Sequence, residues 1–258
     1  LNTQFPIRTA ALDDIDGLEA NVVDDMLLEF SQQEGLSMIQ NNDQGLTSLP
    51  YGGSNGLRGL NQYPGSNATY TGGTISTAAF GSSGTGSTSG LHSIATYDQL
   101  TTNGYGSANN VTFLDVVEFI HLLPQEYWTP TTKFIINPLM LASIRGLVDQ
   151  NKTPVFERMS PLESEGIVGR LLGFDVVVNK YLDNPNSAGA SAGTTSLFPM
   201  YFGDWQRGHT IVDRLNMVLR RYDQTLPGYI TFYGEKRLCT SVVDPFSIIR
   251  YRSTATGA

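Results

Sequence analysis

The chain has 258 residues, 40% of them hydrophobic and 16% charged, enough apolar material for one large domain or two small ones and too much for a disordered polyelectrolyte. A formal net charge of −8 repels phosphate backbones and counts against sequence-specific nucleic-acid binding. No apolar run reaches the ~20 residues that span a bilayer, and no basic-then-apolar start marks a secretory signal.

The chain begins at Leu1 rather than methionine, as expected of a processed or partial chain. Residues 12 to 40, LDDIDGLEANVVDDMLLEFSQQEGLSMIQ, carry the strongest helical pattern. Ile15, Val22, Val23, Met26, Leu27 and Phe30 recur at three- and four-residue steps between acids. Asp13 or Asp14 is expected to cap the start, where acids suit the positive end of the helix dipole. A continuous helix of that extent is roughly 40 Å long. Gly17 and Gly35 weaken it by about 1 kcal/mol each relative to alanine.

From about residue 45 to 110, Gly, Ser, Thr and Asn dominate and predict a loop or loosely paired hairpins. No Gly-Lys-Ser/Thr ends the run, and Gly84, Gly86 and Gly90 miss the dinucleotide spacing, so a surface excursion is read rather than a phosphate cradle. With no secretory signal in view, the glycosylation sequons at Asn67, Asn110 and Asn151 are read as chance.

Regular structure resumes at TFLDVVEFIHLLP, where Thr112 and Asp115 form a capping box and Pro124 ends the helix. KFIIN predicts a short buried strand. Asn137 then caps, and Pro138 opens, the helix PLMLASIRGLVD. GFDVVVNKYL and SLFPMYFGDW predict two more strands, and this alternation describes a mixed α/β unit. LNMVLRRYDQ and GYITFYGEKRLCTSVV predict two long strands joined by a Pro-Gly turn at 227–228. The second could reach roughly 50 Å at 3.3 Å per residue and is expected to bulge at Gly234. The sole cysteine, Cys239, excludes an intrachain disulfide, and its apolar setting predicts a small buried core residue. DPFSIIRYR closes the chain.

The stretch MYFGDWQRGHTIVDR gathers residue types that catalysis recruits: Asp204, His209 and Asp213. It supplies no nucleophile for a triad. Two strands joined at a Gly-bounded turn are the simpler reading, with Asp204 satisfying backbone donors, Trp205 covering apolar surface and Arg214 paired with an acid. His121, on an apolar helix, reads as a satisfied interface histidine, and His92 falls in the Gly/Ser-rich stretch. No paired-cysteine or His-x-x-x-His spacing marks a transition-metal site, and DNPNSAG at 183–189 lacks the closing acid of a calcium loop. Neither an enzyme nor a bound cofactor is predicted.

In this order the segments resemble the major capsid proteins of tailed bacteriophages, the Hong Kong 97 fold. The likeness lies in the acidic helix followed by NNDQG and NGLRGL, and in FLDVVEFIHLLPQEYWTPTTKFIINPLMLASIRGLVD. It continues in GRLLGFDVVVNKYL, and in YFGDWQRGHTIVDR through GEKRLCTSVVDPFSIIRY. The resemblance implies an α+β fold. A peripheral domain would comprise residues 1–107 and 210–243, with 63–107 a Gly/Ser/Thr-rich loop region, and would hold the long spine helix and the long hairpin. A compact axial domain would comprise 108–209 and 244–258. The family's N-terminal arm and extended two-stranded loop are expected to be absent, because the sequence starts almost at the helix. Some relatives cross-link subunits through Lys and Asn beside a glutamate. Glu235 matches that glutamate, but Gly228 stands at the asparagine position and the lysine would lie in the missing loop, so no cross-link is expected. An ion pair of Glu235 with Lys236, Arg237 or another subunit is expected instead.

The resemblance further implies a shell subunit with pentamers and hexamers of itself as partners, scaffold, portal and decoration proteins beside them, and enclosed double-stranded DNA. The place implied is the virion, assembled in the bacterial cytoplasm. Arg58, Asp204, Trp205, Arg207, Glu235, Lys236 and Arg237 are candidates for contacts between subunits. Two other readings stay open: an encapsulin-like compartment enclosing protein cargo, and an acidic α/β enzyme or sugar-binding module with a site in residues 45–110.

Overall fold

The computed structural model describes residues 2–41, 57–63, 65–66, 94–99, 111–148, 152–158, 166–185 and 197–253. In chain order its elements are β1 (Asn2–Arg8), α1 (Thr9–Asp14), α2 (Leu18–Gln40), β2 (Gly65–Ser66), β3 (Ile94–Asp98), α3 (Phe113–His121), β4 (Thr132–Ile136) and α4 (Pro138–Arg145). Then follow β5 (Phe156–Arg158), β6 (Ile167–Leu171), β7 (Phe174–Val178), β8 (Met200–Asp204), α5 (Trp205–Gly208), β9 (His209–Leu226), β10 (Tyr229–Val242) and β11 (Ile248–Arg252). The mixture is α+β, as expected. The chain divides into two units, Leu1–Leu60 with Ile211–Ser241 and Asn61–Thr210 with Val242–Ala258.

In the first unit the predicted single helix is broken. Gly17 adopts φ +79°, a left-handed conformation that glycine reaches without penalty, and it separates α1 from α2. Gly17 itself stands at the N-cap of α2, so neither Asp13 nor Asp14 caps the long helix. The 23 residues of α2 extend roughly 34 Å. Residues 2–8, to which no element was assigned from sequence, form β1 and pair antiparallel with β10 from Asn2↔Glu235 to Arg8↔Tyr229. The sheet order is β1-β10-β9, and Gly228 (φ +79°) closes the predicted Pro-Gly turn of the β9–β10 hairpin.

Pleat alternation sends Ile230, Phe232 and Gly234 of β10 to the face that α2 covers. A methyl group at Gly234 would sit 3.0 Å from the Phe30 ring and 3.4 Å from the Met26 methyl. Glycine here makes room for the helix. The expected bulge is not present on the β1 side, where the register runs unbroken through Thr3↔Gly234. The buried line is narrower than the sequence pattern suggested: Met26 and Phe30 are buried, whereas Ile15 and Leu27 are exposed. Leu27 lies about 100° around the helix from Met26 and misses the sheet. Cys239 is exposed rather than buried, because it falls on the odd-numbered face of β10, away from α2.

The second unit is an eight-stranded sheet, β2-β3-β11-β8-β4-β7-β6-β5. Parallel pairs (β3 with β11, β4 with β7) flank antiparallel ones around β8. The stretch expected to form a loop or loosely paired hairpins contributes β2 and β3 to this sheet; 67–93 and 100–110, with Asn67, His92 and Asn110, lie outside the described residues.

Local signals set the helices. Thr112 and Asp115 form the full capping box of α3, and Asn137 Oδ1 accepts from the Leu139 amide at the start of α4. α4 ends at Arg145 rather than continuing through Val148, which instead bridges to Pro154. Both helices pack on one face around Phe119, whose ring lies 5.7 Å from Tyr251 and 6.3 Å from Phe202. The Phe134 and Phe202 rings stack at 4.3 Å.

A polar cluster occupies a second buried site. Arg250, 3% exposed, donates to Thr96 Oγ1 at 2.9 Å and to the Asn61 carbonyl at 3.5 Å, and lies 3.9 Å above the Phe198 ring. Asn61 accepts from Tyr201 Oη at 2.7 Å and donates to Asp183 at 2.9 Å, and Asp183 also accepts from the Phe198 amide. Burial pushes the Asp183 carboxyl above its ordinary range, against the pull of that amide and of Arg250.

The β6–β7 turn places Leu172 at φ +49° beside Gly173 at +90°. A branched residue in this conformation costs about 1 kcal/mol or more, and asparagine tolerates it better. Leu172→Asn is therefore expected to raise unfolding stability by about 1 kcal/mol in urea titration.

Candidate interaction surfaces

The stretch around Asp204 holds structure together. Asp204 ends β8, is 2% exposed, and accepts from Thr131 Oγ1 at 2.7 Å, Thr129 Oγ1 at 3.0 Å and the Gln206 amide at 3.2 Å. The expected simple turn is a single helical turn, α5, which this carboxylate caps. Trp205 donates its indole N–H to the Lys133 carbonyl at 2.9 Å. Arg207 is exposed, with its Nε 4.0 Å from Asp204. His209 begins β9, and burial holds its imidazole below the ordinary pKa. Asp213 belongs to the first unit, 3.9 Å from Lys236. The three residues thus do not converge on one another: Asp204 caps α5 and Asp213 lies beside Lys236. His121 is exposed on α3, with Nδ1 2.8 Å from the Val117 carbonyl and its ring edge-on to Trp128 at 5.5 Å. Among the described residues no group of three or more His, Cys, Asp or Glu converges as a metal site, and no helix is long and apolar enough to cross a membrane.

The remaining candidates lie in the first unit. Lys236 projects from β10 toward α2 and meets Glu34 at 2.6 Å, both about one-fifth exposed. At the other end of the helix Arg221 of β9 meets Glu19 at 3.2 Å, in the open. Glu235 and Arg237, on the opposite face of β10, pair with each other at 2.5 Å, which is the ion pair expected at Glu235. Arg58 is half-buried in the segment that returns to the end of α2, where Gly59 donates to the Asn41 carbonyl at 2.8 Å. A Cβ at Gly59 would meet the Ile39 carbonyl at 2.5 Å, so the return passes only as glycine.

One surface escaped the sequence reading. Because α2 lies along β10, it reaches Ile7 of β1 but leaves the Asn2–Phe5 end of that strand open on the same side of the sheet. A groove of about 470 Å³ opens there, floored by Phe5, Val22, Met26 and Phe30 and rimmed by Asp25, Glu29 and Gln33. Phe5 is 49% exposed. The available signal was the alternation of Phe5 and Ile7 in QFPIR, a strand pattern too short to stand out before the helix. A shallower apolar hollow in the second unit is lined by Pro130, Ile135, Val177 and Trp205.

Comparisons with known proteins bear on what such surfaces meet. Residues 1–252 match the family described as Phage capsid family. A solved structure of the capsid of an empty GTA particle superposes with a TM-score of 0.69 at 16% identity, over 99% of this chain and 73% of that one. The Gordonia phage Cozz structure gives 0.54 at 14% identity, over 98% and 69%. The holo-SrpI encapsulin complex from Synechococcus elongatus PCC 7942 gives 0.57 at 11% identity, over 100% and 74%. No curated protein sequence matches.

The depressed imidazole has a pH consequence. Unfolded His209 protonates near pH ~6.5, whereas burial delays protonation of the folded form, so acidification favours the unfolded chain. Stability is expected to fall as pH drops through that value and to level off below the folded pKa. His209→Gln is expected to flatten that segment of a pH-resolved denaturation series.

Proposed function

The chain belongs to the phage capsid family, and we infer that its copies assemble, as pentamers and hexamers, into the icosahedral head that encloses a tailed phage's double-stranded DNA. The chain is a capsid subunit. The observation that carries the assembly reading is the extent of the family match, which runs from residue 1 to 252 and so passes through both units. A cofactor-free structural role agrees with where the polar groups go: the acids and histidine of the β8–β9 stretch cap, bridge and pack.

Within this reading the first unit, with α2 and the β9–β10 hairpin, is the peripheral domain, and the second, with the mixed sheet and its two helices, is the axial domain; residues 61–107, which the sequence assigned to the peripheral domain, then belong to the axial one. The candidate contacts divide accordingly. Arg58, Glu235, Lys236 and Arg237 belong to the peripheral part, and Asp204, Trp205 and Arg207 to the axial part. Among these, the exposed Arg207 and Arg237 are the best placed to reach a neighbouring subunit. The net charge of −8 suits a lining along which DNA slides without adhering. Scaffold, portal and decoration proteins are the further partners proposed, and assembly in the host cytoplasm precedes residence in the virion.

Expression of the full chain followed by electron microscopy tests this. Closed isometric shells are expected, with nuclease-protected DNA in particles isolated from phage-producing cells. Monomers at all concentrations would overturn the assembly reading, and shells filled with one host protein would replace the DNA role by that of a protein compartment.

A further inference from the structure

We propose that the groove between β1 and α2 receives the opposite face of the β9–β10 ribbon from a second copy of this chain. The inference rests on the self-assembly reading and names the surfaces that carry it.

The groove has an apolar floor in Phe5, Val22, Met26 and Phe30, and an acidic rim in Asp25 and Glu29. Glu29 accepts from the Gln33 amide at 2.8 Å, an uncharged partner that leaves the rim's charge in place. Helix α2 carries five acids, Glu19, Asp24, Asp25, Glu29 and Glu34, and no Lys or Arg. Glu19 and Glu34 are paired with the chain's own ribbon. Asp24, Asp25 and Glu29 point into solvent. An occupant that suits this groove is apolar in its centre and basic at its margin.

The chain carries such a surface. Along β9, the odd-numbered residues turn toward α2: Leu219 packs on the small core of Ile7, Met26, Ile230 and Phe232, Asp213 approaches Lys236, and Arg221 meets Glu19. The even-numbered residues therefore line the other face, where Val212 and Val218 alternate with Arg214, Asn216 and Arg220. Val212 is 56% exposed, and both arginines are exposed. Apolar and basic side chains thus alternate along this face, beside the Tyr222–Tyr233 ring contact and the Glu235–Arg237 pair, and the arginines outnumber the acid.

The two surfaces lie on opposite faces of one three-stranded sheet, so they cannot meet within a copy. They can meet between copies, and a contact made by two different surfaces is heterologous: each copy gives one face and receives the other, which generates rings or extended arrays. Strand addition along the free edge of β1 is the weaker alternative, since Pro6 removes a backbone donor from that edge. The docking is therefore of side chains into a groove.

Charge reversal with rescue tests the pairing in the full chain. Asp25→Lys with Glu29→Lys, and separately Arg214→Glu with Arg220→Glu, are each expected to lower the yield of sedimenting assemblies at least about tenfold, since like charges face one another across every contact. All four positions are exposed, so circular dichroism and the melting temperature of the monomer should stay as in the unmodified chain. Combining the four substitutions restores opposite charges and is expected to recover most of the yield. Unchanged assembly in either double variant overturns the proposal. Loss in both without rescue also overturns it, and points to a different protein or another segment of the same polypeptide in the groove. If the unmodified chain forms no assemblies at all, it is the assembly reading that fails, which distinguishes the two.

Discussion

The first unit depends on one close approach, that of the Phe30 ring to a strand position with no side chain. At Gly234 a methyl group would already press on Phe30 and Met26. With glycine there, α2 settles along β10 with Met26 and Phe30 in one line, and Glu19 reaches Arg221 near its start while Glu34 reaches Lys236 further along. The ion pairs add direction more than strength: the Glu19 pair is open to solvent and worth little, and the Glu34 pair is only partly shielded. The same seating has a second result. A helix placed over the middle strand covers β1 only around Ile7, and Phe5 is left in the floor of a groove. Dense packing at one strand thus creates the unpacked surface next to it.

The second unit separates its two kinds of burial. Around Phe119, aromatic rings meet edge-on or stacked and make a hydrocarbon core under α3 and α4. Around Arg250 a buried cation is satisfied by a hydroxyl, a carbonyl and a ring face. A guanidinium removed from water is costly unless its donors are met, so the partners it gathers are held as a set. Those partners come from far apart in the chain: Asn61, Thr96, Asp183 and Phe198 stand beside the long polar stretches 64–93 and 186–196. One buried side chain of β11 therefore fixes the described ends of both.

What could be read in advance was whatever a few neighbouring residues decide among themselves. The Thr112–Asp115 box, the Asn137-Pro138 start and the Pro-Gly hairpin were legible because each is made by groups within four positions of one another. The ion pair of Glu235 was legible for the same reason: Arg237 sits two residues along on the same face of a strand. Order of segments carried the family resemblance, and the comparisons agree with it. Less legible was anything decided by a partner distant in sequence. The pattern in residues 12–40 showed an amphipathic helix but not how wide its buried stripe would be, which the flatness and position of β10 set; Leu27 is exposed on that account. Cys239 looked apolar by its neighbours, yet the face it occupies follows from the register of Gly234 against Phe30. Gly17 was recognised as a weakness, and its left-handed conformation makes it a break.

The sequence by itself determined the class of fold, the caps of α3 and α4 and the Pro-Gly hairpin turn, since those follow from residue types at short spacing. Only the tertiary structure decided that residues 2–8 are a strand, that α2 lies over β10 and leaves the Asn2–Phe5 end of β1 open, and that a basic ribbon face stands opposite an acidic groove. Pleat and helix repeat tell which residues share a face, but they do not tell what that face will meet. That is settled by close packing between segments some two hundred residues apart, as Phe30 and Gly234 are, and no local pattern contains it.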